Sequence, residues 1–187
     1  MKRVRRRSRK TAARSRMDPA IRAYLAKIER FRAGREPVAL MRTGPARFAR
    51  AVSGLTKAQM RRRPAPGKWS ILEILGHLHD TEVVYGWRWR LMAAEPGCLI
   101  QGYDQAKWAR DLKHRNANAK RLLEQIGAMR QGTLDFLARV PRRKWKGRYG
   151  HHTERGRETL ERSVRQIAGH DENHLAQIRG IRKKYGW

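Results

Sequence analysis

His170 and His174, in the run Gly169-His170-Asp171-Glu172-Asn173-His174-Leu175, stand four residues apart. On a helix that spacing puts two imidazoles on one side, close enough to grip a single divalent cation. The segment reads as a helix because Leu160, Val164, Ile167, His174, Ile178 and Ile181 recur at helical spacing. Asp171 and His174 fall inside that apolar stripe and His170 on its flank. A carboxylate on a core-facing stripe demands a partner. A bound cation, or a ligand imidazole in need of an acceptor, meets the demand, and so does one of the chain's many arginines.

A pair of ligands is not a metal site, and the other histidines are His77, His79, His114, His151 and His152. A ligand projecting into a helical core must come from a core-facing helix, which leaves His77 and His79. They point to different sides and lie equally far from the centre of their apolar stripe, so periodicity does not choose between them. Glu82 falls in that stripe as a second carboxylate in need of a partner, and Asp80 is one turn from His77. Other metal patterns fit less well. A di-iron bundle needs two Glu-x-x-His motifs, a zincin needs Glu where this chain has Asp171, and a zinc finger needs more than the single Cys98.

The elements that must position these groups are helical. Asp18-Pro19 makes an N-cap and first helical residue, followed by Ile21, Tyr24, Leu25, Ile28 and Phe31. Residues 37–54 read as helix with Gly44-Pro45 marking a break or kink. After the loop at 63–67, Ser70 and Glu73 form a capping box for a helix running to about Met92. Residues 97–114 read as loop, a long helix ends at Pro141, residues 142–156 read as basic loop containing His151 and His152, and the last helix spans about 157–184. No strand alternation or internal repeat stands out. The expectation is an all-α protein with four principal helices.

The 187 residues suit one domain with an appendage. No apolar run approaches the ~20 residues that span a bilayer. The lone Cys98 forbids an internal disulfide and suits a buried inert thiol, so a cytoplasmic setting is expected. Net charge is +29; residues 2–16 hold nine Lys or Arg and no acid, which leaves +20 on the rest. Residues 1–16 are therefore read as a disordered basic tail and 17–187 as the folded domain. Such charge attracts polyanions without reading sequence, and Trp69, Trp87, Trp89, Tyr103 and Trp108 read as core or pocket wall in preference to base-stacking platforms.

Two stretches resemble a known family, the DinB-like domain of the DinB/YfiT superfamily. One is Pro64-Ala65-Pro66-Gly67-Lys68-Trp69-Ser70-Ile71-Leu72-Glu73-Ile74-Leu75-Gly76-His77-Leu78, with Asp80 and Glu82 beyond it. The other is Gly156-Arg157-Glu158-Thr159-Leu160 followed by His170 to Ile178. The resemblance covers about residues 20–182. It implies an up-down-down-up four-helix bundle whose core holds a divalent metal on His77, His170 and His174, favouring His77 over His79. It also implies dimers, small-molecule substrates, and metal-dependent hydrolysis or S-transfer using a low-molecular-weight thiol.

Imidazole ligands suit Zn, Ni, Mn or Fe(II) and do not select among them. Asp80, Glu82 and Asp171 are candidates to orient the ligands or accept a proton. The alternative is a basic nucleic-acid-associated protein whose metal is structural or absent. Nothing in the family pattern accounts for the arginine-rich tail.

Overall fold

The structure, a computed structural model, describes residues 17–187. The tail expected to be disordered, residues 1–16, lies outside them. The helices begin where the capping chemistry places them. Asp18 accepts the Ala20 N–H at 2.7 Å and Pro19 opens α1 (Pro19–Arg32). Ser70 and Glu73 form the reciprocal capping box that starts α4 (Ile71–Ala94). Between them run α2 (Pro37–Val52) and the short α3 (Lys57–Arg61); α5 (Gln105–Asp111), α6 (Ala119–Arg139) and α7 (Leu160–Tyr185) follow.

Four of these helices make the bundle. α2 packs against α7 and α6, α4 packs against the same two, and α1 lies along the outside of α7. α2 and α4 are thus diagonal to each other, as are α6 and α7.

Three expectations are corrected. Residues 142–156 are not all loop: β2 (Tyr149–His152) pairs parallel with β1 (Cys98–Ile100) and antiparallel with β3 (Gly156–Thr159). Residues 97–114 likewise hold β1 and α5. Strands of three or four residues with glycines among them give no periodic signal. Gly150 is needed where it stands, since a Cβ there would sit 2.4 Å from the Ile100 side chain. His151 is exposed as expected, whereas His152 is buried on β2. Cys98 is half-buried, and burial pushes its thiol pKa up.

The third correction concerns Gly44-Pro45, because α2 runs through both without interruption. A proline inside a helix deprives the carbonyl four residues earlier of its donor. Here that carbonyl is Met41's, and Arg130 of α6 donates to it from Nη1 at 2.9 Å. A Cβ on Gly44 would meet Asp171 Oδ2 at 3.1 Å and Arg130 Nη1 at 3.3 Å. The Gly-Pro pair is therefore a docking point for a side chain from across the bundle.

This docking point lies in a polar band that divides the core. One apolar cluster holds Leu40, Met41, Trp89, Leu134 and Ile167, and the other holds Phe48, Ile74, Leu75, Ile126 and Leu175. Between them each long helix contributes to the band: Gly44 from α2, His77 to Glu82 from α4, Arg130 from α6, and His170 to His174 from α7. All the titratable site residues named from the sequence lie in it.

Candidate metal centre

At one side of the band three imidazoles meet. His77 Nε2 lies 2.9 Å from His170 Nε2, which lies 3.0 Å from His174 Nε2. All three residues are buried. The indole of Trp69, just ahead of the Ser70 cap, covers them, its centroid 4.9 Å from that of His77 and 6.3 Å from that of His174. Burial, reinforced by neighbouring imidazoles, drives His77 and His174 well below the ordinary histidine pKa. They are neutral at physiological pH.

Neutral imidazoles carry one N–H each, which makes this convergence a test of fit for a cation. His174 Nδ1 faces Gln177 Oε1 at 2.8 Å. An amide oxygen only accepts, so the His174 proton is on Nδ1 and Nε2 presents a bare lone pair. His170 Nε2 can carry one hydrogen, which can serve one neighbour and not both. Three imidazoles held by a tetrahedral ion at 2.0–2.1 Å would have nitrogens about 3.3 Å apart. The two separations that meet at His170 Nε2 need to open by only a few tenths of an ångström, and the third lies within 4.8 Å. His77, His170 and His174 are also the residues that, among those described, bring three His, Cys or acidic donors within 4.8 Å of one another. The donor set fits a divalent cation.

His79, which periodicity could not separate from His77, is half-buried and turns away, its Nδ1 3.6 Å from Asp80 Oδ1. Asp80 Oδ2 meets His114 Nε2 at 2.6 Å. Burial alone would raise the Asp80 pKa, but the bonds from His114 and His79 outweigh it and hold the carboxyl low. Reading His114 as outside the core was a miss: its ring packs on α4 where a Cβ on Gly76 would lie 2.4 Å away. Gly76, one residue before His77, was the available signal.

Glu82 and Asp171 share Arg130. Arg130 Nε donates to both Glu82 oxygens at 3.0 Å, Nη2 also bonds Glu82, and Nη1 donates to Asp171 Oδ2 at 2.7 Å. Burial raises the Glu82 pKa despite the guanidinium, whereas for Asp171 the pull of Arg130 overcomes burial and lowers it. Asp171 stays charged, and its second oxygen lies 3.9 Å from His170 Nδ1, both without hydrogen-bond partners among the described residues. Neither Arg130 nor Gln177 was singled out from the sequence. Gln177 lies one turn past His174 on the same face, which is a legible spacing; a buried arginine on α6 has no comparable mark.

Two cavities approach the cluster. One of about 510 Å³ touches Trp69 and Gln177 but none of the three histidines. The other is small, about 40 Å³, and is lined by His77 and His170 together with Tyr24, Tyr103, Arg155 and Gln166. Only the second opens onto the imidazoles themselves.

The DinB superfamily profile matches residues 40–178, and the chain belongs to that family. The protein named "Putative metal-dependent hydrolase YfiT" in Bacillus subtilis is 22% identical over 143 residues, covering 76% of this chain and 80% of that one. A relative of the same descriptive name from Oceanobacillus iheyensis is 24% identical over 143 residues, covering 76% and 82%. The solved structure of Bacillus subtilis YfiT, described as a probable metal-dependent hydrolase with an unusual four-helix bundle topology, superposes with a TM-score of 0.76 at 18% identity. That superposition covers 97% of this chain and 94% of the other, and shows the shared four-helix bundle fold.

Proposed function

We propose that the protein is a metal-dependent hydrolase of a small molecule, its divalent ion held by His77, His170 and His174. The convergence of the three buried Nε2 atoms carries this reading. A divalent ion on neutral ligands supplies Lewis acidity, polarising a carbonyl or lowering the pKa of water towards neutrality.

The chain's own groups do the rest. Gln177 fixes the His174 tautomer, and Asp171, anchored by Arg130, stands ready to take the Nδ1 proton of His170 as a hydrogen bond. Asp80 and Glu82 are committed to His114 and Arg130, so their role is to hold those groups in place. Burial pushes the Tyr103 pKa up to about 12. That phenol remains protonated beside the small cavity.

Elemental analysis of tag-free protein is expected to find one divalent ion per chain, lost from His77→Ala and His170→Ala; full retention by both variants ends this reading. A panel of amide, ester and thiol-adduct substrates then separates hydrolysis from S-transfer to a low-molecular-weight thiol. The same elemental analysis names the ion among Zn, Ni, Mn and Fe.

A groove of about 480 Å³ favours a second reading, polyanion binding by the bundle surface. It is lined by Arg47, Arg50, Arg179, Arg182, Lys183 and Trp187. Nucleic-acid affinity that falls steeply with salt, and falls further when Arg50 and Arg179 are changed to Ala, supports this reading; salt-insensitive or absent binding removes it.

A further inference from the structure

Arg155 sits on the turn between β2 and β3 and lines the small cavity beside His77 and His170. Its side chain is 12% exposed. A guanidinium offers five N–H donors, and this one has poor use for them. Nη1 and Nη2 both reach for the same Tyr85 hydroxyl, at 3.3 and 3.4 Å. Nε lies 2.9 Å from Glu158 Oε2, but out of line for a hydrogen bond. Nε and both Glu158 oxygens are without hydrogen-bond partners among the described residues. Arg88 adds a second cation nearby, stacked over Tyr85 at 5.1 Å and Tyr103 at 5.7 Å.

Gln166, 8% exposed, lines the same cavity with an Oε1 that also lacks a partner among the described residues. Buried polar atoms in native proteins are nearly always satisfied. An under-used guanidinium and an orphaned amide oxygen on one small cavity describe a ligand that accepts from the first and donates to the second.

We infer that Arg155 is the anion-binding residue of the site, and that the ligand carries a carboxylate with a neighbouring hydroxyl or N–H that donates to Gln166. As a statement about substrate, this rests on the metal-hydrolase reading above; as a statement about binding, it does not. Arg forks match carboxylates with two parallel hydrogen bonds. The cavity, about 40 Å³, is roughly three times the ~10–15 Å³ that one water needs, so it admits a planar carboxylate head. The remainder of the ligand leads outward past Tyr24, which lines the cavity while 41% exposed to solvent.

The test is an NMR titration of the full chain with acetate, acetamide and glycolate at fixed ionic strength, before and after treatment with a chelator. In chelated wild-type protein acetate is expected to bind at least tenfold more tightly than isosteric acetamide, and Arg155→Gln to abolish that preference. Arg155→Gln in a Glu158→Gln background should do the same, without leaving a lone buried carboxylate to destabilise the fold. Gln166→Leu should weaken glycolate about tenfold and leave acetate unchanged. Acetate preference that survives both arginine variants overturns the inference, and glycolate binding indifferent to Gln166→Leu overturns the donor half of it. Metal content measured on the same samples keeps the two readings apart: a metal-free wild type defeats the hydrolase, while the acetate result decides Arg155.

Discussion

The polar band through this bundle has two halves that look alike in composition and differ in how well they are satisfied. Around Arg130, both oxygens of Glu82, one oxygen of Asp171 and the Met41 carbonyl all accept from one guanidinium within 3.0 Å. Around His170, the rings of His77 and His174 crowd within 3.0 Å of its Nε2, and two atoms beside it lack partners among the described residues. The first half is closed and structural. The second brings together the three imidazoles to which our proposal gives a divalent ion. Buried polarity alone does not separate scaffold from site; the hydrogen-bond ledger does.

Breaking the closed half should do the most damage. Arg130→Met leaves Glu82 and Asp171 buried without their cation, and is expected to cost about 3–5 kcal/mol in urea unfolding. A cost below about 1 kcal/mol would mean that the guanidinium does not hold the two carboxylates as described. The open half should behave oppositely. Chelator is expected to remove about 4 kcal/mol of stability from wild-type protein held at a thousandfold excess of free metal over its Kd, and to leave His170→Ala nearly unmoved. Equal chelator sensitivity in both proteins would erase the contrast.

Smaller changes sharpen it. Gln177→Leu removes the acceptor that orients His174, and metal affinity by competition titration should fall about 10- to 100-fold with the fold intact. The last contrast is in pH. The folded pKa values of His77 and His174 lie well below the unfolded value of 6.5. Below that pH the unfolded chain binds protons that the folded protein refuses. In metal-free protein the contribution of these residues is therefore complete above about pH 6.5 and declines as the pH falls. The slope reaches up to about 1.4 kcal/mol per pH unit for each imidazole, until the folded groups protonate. His77→Ala should flatten that decline in unfolding curves taken between pH 7 and 5, whereas Gln131→Ala, on the exposed face of α6, should not.

Much of the scaffold could be read in advance, because local chemistry places it. Asp18-Pro19 and Ser70 with Glu73 start their helices where they were expected, and the turn between His170 and His174 follows from spacing alone. The failures also have physical causes. β1 to β3 are too short to show alternation, and Gly44-Pro45 read as a break because the donor that rescues Met41 comes from Arg130, 89 residues further along. The carboxylates Glu82 and Asp171 were legible as needing partners; that one arginine serves both was not.

From its own pattern, then, this chain determined its helices, its one-turn histidine pair and the family motifs that pointed to His77. Tertiary packing decided the rest. From Ile71 to Leu78, α4 is buried on every side, so it has no wet face by which a helical wheel could rank His77 above His79. Only the approach of α7 turned one ring towards His170 and left the other beside Asp80. Convergence of groups 93 residues apart depends on which helix faces meet, and that is settled by the burial of the whole core.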